Sequence, residues 1–226
     1  MIPPRLPRLA DLAPDAPVRE RVLTAALELL QTDGFAGLTT SAVARRAGIR
    51  QSHLTYYFPT RAQLVRATAQ FGVEAVLTPI VGAALGGELT LEQYKALLLP
   101  SLQDRGWCRL IHEMGSACCE DPSIRDWLVR FDESIRARIR EGFRALGVPA
   151  SDEDILVLHM SYIGALQIDM LCASEASLEL ARRGVAHAID TLIEAIRARQ
   201  RSLVRAPKPR IRARTRPPSL GASHAR

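Results

Sequence analysis

Apolar positions recur along this chain with the period of a helix from residue 18 to about residue 200. From Val18 onward, Val22, Ala26, Leu29 and Leu30 fall at i, i+4, i+7 and i+8 spacing, one buried stripe, and Gly34 after Asp33 supplies a helix-ending residue that tolerates positive φ. This predicts a first helix over 18–33. Phe35 and Leu38 follow as apolar loop anchors. Thr39 can then cap a short helix through Ser41, Val43, Ala44 and Ala47 that stops at Gly48, and a third short helix spans Arg50 to Tyr57. Pro59 and Thr60 punctuate before a longer helix from Arg61 to Ala75 or beyond, with Pro79 as the place for a bend. Further helices are predicted over 91–99, 102–119, 122–146, 152–173 and 177–200, separated by Pro100, Asp121-Pro122, Gly147-Val148-Pro149 and 174–177. There is no alternating strand pattern and no internal repeat, so the expected fold class is all-α with about nine helices.

Prolines cluster in 1–17 and again in 207–218, which marks both ends as segments expected to hold no regular structure. The whole chain, 226 residues with 47% hydrophobic and 24% charged side chains, is long enough for a sizeable core, which excludes collagen-like, coiled-coil-only and wholly disordered chains. The longest apolar region, Ala75 to Leu85, contains Thr78, Pro79 and Gly82 and falls short of the ~18 uninterrupted apolar residues of a membrane span. The N-terminus has no apolar run of a secretory signal, so the expectation is a cytoplasmic protein whose Cys108, Cys118, Cys119 and Cys172 are reduced thiols.

Charge is distributed unevenly. Residues 1–66 carry nine Lys/Arg against five Asp/Glu, a net +4; residues 67–200 carry 13 against 19, a net −6; residues 201–226 carry eight basic and no acidic groups. A basic front and a basic tail suit a polyanion, and the acidic middle suits another task.

The two short helices around Gly48, with small Ala44 and Ala47 where the helices must approach, form the pattern of a helix-turn-helix. The ungapped run from Gly37 to Leu64, GLTTSAVARRAGIRQSHLTYYFPTRAQL, resembles the DNA-binding segment of the tetracycline-repressor (TetR) family: Val43-Ala44, the Ala-Gly-Ile turn, the Tyr-Tyr-Phe end, and Arg61 with Leu64 three positions on. In the third helix Leu54 and Phe58 are four apart and face inward, which leaves Gln51, Ser52, His53 and Tyr56 on the outer face. Gln51 can pair with adenine, Ser52 and His53 with base edges, and Tyr56 with a thymine methyl or a phosphate. The resemblance implies phosphate contacts from Thr39, Thr40, Ser41, Tyr57 and Arg61. Two positions depart from the family pattern, Thr55 where a tyrosine is usual and Arg50 where a serine is usual; Arg50 could take a phosphate or guanine, and both bear on the operator sequence.

The implied organisation is an arm over 1–17 and a tail over 201–226, both disordered, a DNA-binding domain over 18–66 and an effector-binding and dimerisation domain over 67–200. Ile155, Leu158, Tyr162, Ile163 and Leu166 form one apolar stripe and Val185, Ile189, Leu192 and Ile196 another; by resemblance these build a four-helix homodimer interface between 152–173 and 177–200, the alternative being packing inside the monomer. Trp107, His112, Met114, Trp127, Phe131, His159, Tyr162 and Gln167, with Tyr94, Met160 and Met170, are candidates to line an effector cavity. The effector is expected to be small and mainly apolar, since no basic cluster is evident in the acidic middle.

The function expected from the resemblance is a ligand-responsive repressor released from a palindromic operator, with no catalysis, no cofactor and no metal. One alternative is an architectural DNA-binding protein without an effector. The other is a thiol- or metal-dependent sensor or enzyme using Cys108 and His112, which lie four apart on one helix face; no P-loop, hydrolase elbow or dinucleotide fingerprint accompanies them.

Overall fold

The computed structural model describes residues 5–87, 90–172 and 174–205. Among them are nine α-helices and no strand: α1 (Val18–Gly37), α2 (Thr40–Arg46), α3 (Gln51–Tyr57), α4 (Arg61–Leu85), α5 (Leu91–Leu98), α6 (Arg105–Glu120), α7 (Pro122–Ala145), α8 (Asp152–Cys172) and α9 (Glu175–Arg205). Their starts are set by local chemistry. Thr39 caps α2 by accepting the Ala42 N–H, and Thr60 with Gln63 and Thr90 with Gln93 form reciprocal capping boxes on α4 and α5. Asp104 caps α6, and Asp121 caps α7 ahead of Pro122, which needs no N–H there.

Gly34 sits at φ 72° and ψ −171° inside α1, so regular helix stops at 33 as its position predicts and a further turn leads to Leu38. Gly48 at φ 68° makes the turn between α2 and α3. The apolar face of α1 is enclosed, with Val22, Leu23, Ala26, Leu27 and Leu30 buried against α2, α4 and α6. Each such leucine contributes about 1.5–3 kcal/mol by leaving water. A close approach occurs at Gly72 of α4, where an added Cβ would lie 2.6 Å from Leu110 Cδ2 of α6 and 3.1 Å from Leu27 Cδ1 of α1. By length and composition α4 could cross a membrane, but it runs through Pro79 without a break and packs its apolar residues, Leu64 to Ala84, against α1, α6 and α7.

Several expectations change. Residues 5–17 are ordered against the core: Leu6 is buried beside Gly72, the Leu9 N–H donates to Glu28 at 2.8 Å, and Leu9–Asp11 form a 3-10 turn. Proline there sets a path over the core and does not prevent one. The predicted 102–119 helix begins only at Arg105, because Leu99–Gln103 form a 3-10 turn around Pro100. Helix α9 continues to Arg205, past the expected domain end at 200, and the rest of the basic tail lies outside the described residues, as does residue 173 at the end of the predicted eighth helix.

The α8–α9 hairpin gives the largest correction. Ile155, Leu158, Tyr162, Leu166, Val185, Ile189 and Ile196 are all buried, and Ile163 and Leu192 partly so, within the single chain, so these stripes pack inside the monomer. Helix α8 is apolar on more than one face, and its outward side carries Leu156, Val157, Met160 and Ile168, all exposed, around Gly164.

Candidate nucleic-acid interface and effector cavity

Helix α3 is anchored by Leu54 and Phe58, both buried, so the opposite side faces solvent: Gln51, Ser52, His53, Thr55 and Tyr56 are exposed, Tyr56 at 80%. Tyr57, 37% exposed, touches both its neighbours, with ring centroids 5.4 Å from His53 and 5.5 Å from Tyr56, and this holds the aromatic end of the helix in one arrangement. Gln51 Nε2 lies 3.4 Å from Thr40 Oγ1, a long contact that leaves most of its amide available. Thr55 donates its hydroxyl to the Gln51 carbonyl at 3.0 Å, so it is turned back along the helix. Arg50 occupies the N-cap position without a side-chain capping bond, and Ser41 Oγ lies 3.3 Å from Thr39 Oγ1.

Arg61 is placed otherwise than expected. Its Nε donates to the Leu38 carbonyl at 3.1 Å, an Nη donates to the Phe35 carbonyl, and its guanidinium lies 3.9 Å from the centre of the Phe35 ring. The Phe35 carbonyl accepts the Leu38 N–H at 3.2 Å and the Leu38 carbonyl lies beyond the helix, and the planar fork of Arg61 reaches both, so its donors serve the α1–α2 junction. Sequence reading also missed Glu28, which takes both the Leu9 N–H and Arg46 at 2.8 Å, and Arg21, which donates to the Ala47 carbonyl at 2.8 Å and fixes the end of α2.

A cavity of about 490 Å³ lies among α4, α5, α6, α7 and α8. Of the predicted lining residues it includes Trp107, Met114, His159, Tyr162 and Gln167, together with Tyr94. His112 stands behind the wall, with Nδ1 3.0 Å from Gln167 Oε1. Trp127 and Phe131 stack on each other at 4.7 Å outside the lining, Met160 faces out at 65% exposure, and Met170 is packed against the core away from the cavity.

Most of the wall is apolar, and its polar groups fall into two sets. Tyr162 accepts from Trp107 Nε1 at 2.9 Å and pairs with Ser101, and Tyr94, also buried, lines the same wall. Burial, with smaller contributions from charges nearby, holds both phenols protonated far above the usual tyrosine range. The second set was not read from the sequence: Asp132 accepts from Arg136 Nε at 2.9 Å through Oδ2 and lies 2.7 Å from His159 Nε2 through Oδ1, and Arg125 donates to the Cys118 carbonyl at 3.3 and 3.2 Å. The cavity wall thus carries Arg136 paired with Asp132, and, eleven positions away along α7, Arg125. The signal for the pair was Asp132 and Arg136 at i, i+4 within the same α7 face as Leu128, Ile135 and Ile139.

Cys108 is buried and its thiol donates to the Leu102 carbonyl at 3.5 Å. Burial, and next Cys119, push the Cys118 thiol up, against a reactive thiolate. No group of three His, Cys, Asp or Glu among the described residues is placed to hold a metal ion, and the side chain of Cys172 lies outside those described.

Comparison with known proteins agrees with this geometry. The family described as "Bacterial regulatory proteins, tetR family" matches residues 22–68, from within α1 to the start of α4. The nucleoid occlusion factor SlmA of Marinobacter nauticus is 30% identical over 131 residues, 56% of this chain and 66% of that protein, just under two thirds of its length. Among solved structures, a TetR transcription regulator from Haloarcula marismortui superposes with a TM-score of 0.60 at 20% identity, over 77% of this chain and 97% of that one. The multidrug binding protein EbrR in complex with proflavin superposes with a TM-score of 0.53 at 23% identity, over 76% of this chain and 99% of that one. The matched segment, residues 22–68, is the DNA-binding region of the TetR family of bacterial regulators, and the chain as a whole shares the all-helical fold of TetR-family structures.

Proposed function

We propose that this protein is a homodimeric, cytoplasmic transcriptional repressor that leaves a palindromic operator when a small, mainly apolar molecule fills the cavity, and that it performs no catalysis. The observation that carries this reading is the route from cavity to DNA-binding unit along α6: Met114 lines the cavity, and the adjacent Glu113 accepts the Phe35 N–H at 2.7 Å at the α1–α2 junction. A ligand that fits one arrangement of α6 better than another would shift the spacing of two recognition helices by its differential affinity. EbrR, a similar fold, holds proflavin, which supports a cavity of this kind as a ligand site.

In this reading Gln51, Ser52, His53 and Tyr56 read base edges, and Thr39, Thr40, Ser41, Arg50 and Tyr57 lie against the backbone. The exposed α8 face around Met160 meets a second copy of itself, which brings two α3 helices to successive major grooves. The test is operator selection with the purified protein, followed by a screen for small molecules that release the selected DNA. A second reading, a DNA-organising protein without an effector, is favoured by the likeness to a nucleoid occlusion factor; it predicts many genomic sites and no releasing molecule.

A further inference from the structure

The polar wall of the cavity points to a class of ligand, resting on the reading that the cavity is an effector site. Lining residues on α7 run from Arg125 to Ile139, about 21 Å of helix axis at the 1.5 Å rise per residue, so the space is long. Formal charges on that wall are two guanidiniums, Arg125 and Arg136, against one carboxylate, Asp132, a net +1 with His159 counted neutral. Both oxygens of Asp132 are already engaged, Oδ2 by Arg136 and Oδ1 by His159, so a cationic ligand would have to displace one of them and would meet two arginines. Arg136 commits only Nε to Asp132, and its side chain is 25% exposed. The guanidinium edge left over can take a planar, two-oxygen anion in a paired geometry, stronger than a neutral hydrogen bond. Farther along, the wall is mostly apolar, with Tyr94 and Leu98 of α5 and Val73, Val76 and Ile80 of α4.

We infer that the cavity takes an elongated monoanionic amphiphile, an apolar body ending in a carboxylate that lies on Arg136. The full chain is titrated with decanoate, decanol and decyltrimethylammonium, followed by tryptophan fluorescence and by the shift in melting temperature. Decanoate is expected to bind about tenfold or more tightly than either of the other two. Arg136→Gln is expected to reduce the decanoate preference over decanol to about threefold or less while leaving decanol affinity nearly unchanged. Where that variant does not fold, Asp132→Asn combined with Arg136→Gln removes both charges at nearly constant shape and is read by the same ratio.

A cation bound as tightly as decanoate, or a preference that survives loss of Arg136, overturns the proposal. Decanol bound as well as decanoate overturns the anion alone and leaves the effector reading standing. Failure of all three to bind removes this ligand class and counts against the effector reading with it.

Discussion

The backbone N–H of Phe35 donates to Glu113 Oε2 at 2.7 Å, across 78 positions of sequence, and this bond joins the end of the first helix to the middle of the sixth. Glu113 Oε1 also lies 2.9 Å from where a Cβ would sit on Gly34, so the carboxylate fills the notch made by the turn. Glu113→Ala would leave a part-buried N–H without its acceptor, at a cost of about 1–3 kcal/mol. Thermal unfolding should show that loss. Operator affinity of the folded variant should respond less to any releasing ligand, and an unchanged response would show that the coupling runs elsewhere.

Arg61 should behave as a structural residue. Arg61→Ala removes donors from the Phe35 and Leu38 carbonyls and the stacking over Phe35, a loss of about 1–3 kcal/mol. Arg61→Lys should recover little of it, since an ammonium cannot reproduce the fork. Below its melting range the Ala variant should keep the wild-type slope of log K against log salt. A slope shallower by about one would mean that Arg61 neutralises a phosphate after all.

On the outer face of α3, Gln51→Ala and His53→Ala should relax base preference at separate positions of the selected site by about 1–3 kcal/mol each, with stability little altered because both side chains are exposed. Measured preference matrices that stay the same would move base reading to other residues.

Gly72→Ala tests the close packing of α4 against α1 and α6. Its Cβ would meet the ends of the Leu110 and Leu27 side chains, both fully buried, so those ends can give way only into packed neighbours, and overpacking of this kind costs about 1–3 kcal/mol. A melting temperature at or above wild type would show that α4 has room to slide between α1 and α6.

Helix boundaries were legible because they depend on neighbours in sequence: Gly34, Gly48, Thr39, Thr60 and Pro122 act within a turn of themselves. The exposed face of α3 was legible for the same reason, since burial of Leu54 and Phe58 fixes what α3 exposes. Arg61 was not, because its role depends on carbonyls more than twenty positions away that become available only once the chain turns at Gly34. The cavity was half legible. Aromatic residues announce themselves, yet Trp127 and Phe131 stack outside it, whereas Asp132 and Arg136 look like an ordinary solvated ion pair until α8 packs beside them and brings in His159. The stripes of α8 and α9 misled for a related reason: in a helix apolar on more than one face, periodicity does not say which face meets the same chain and which a second copy.

That outward face supplies the last test. Val157 and Met160 are 63% and 65% exposed, with Leu156 and Ile168 beside them and Gly164 between, which permits close approach of another helix. If the protein reads a palindrome as proposed, a patch of this kind is expected to lie on the two-fold axis, where each substitution acts twice. Met160→Glu should leave the monomer folded, since the side chain contributes little to its core, but it places two carboxylates in an apolar contact between copies. Sedimentation velocity should show the dimer shifting to monomer, and footprinting should show protection of a full palindrome weakening together with it. A dimer that persists with unchanged affinity would place the interface away from this face of α8. A monomer that still protects both half-sites with wild-type affinity would separate operator recognition from dimerisation altogether.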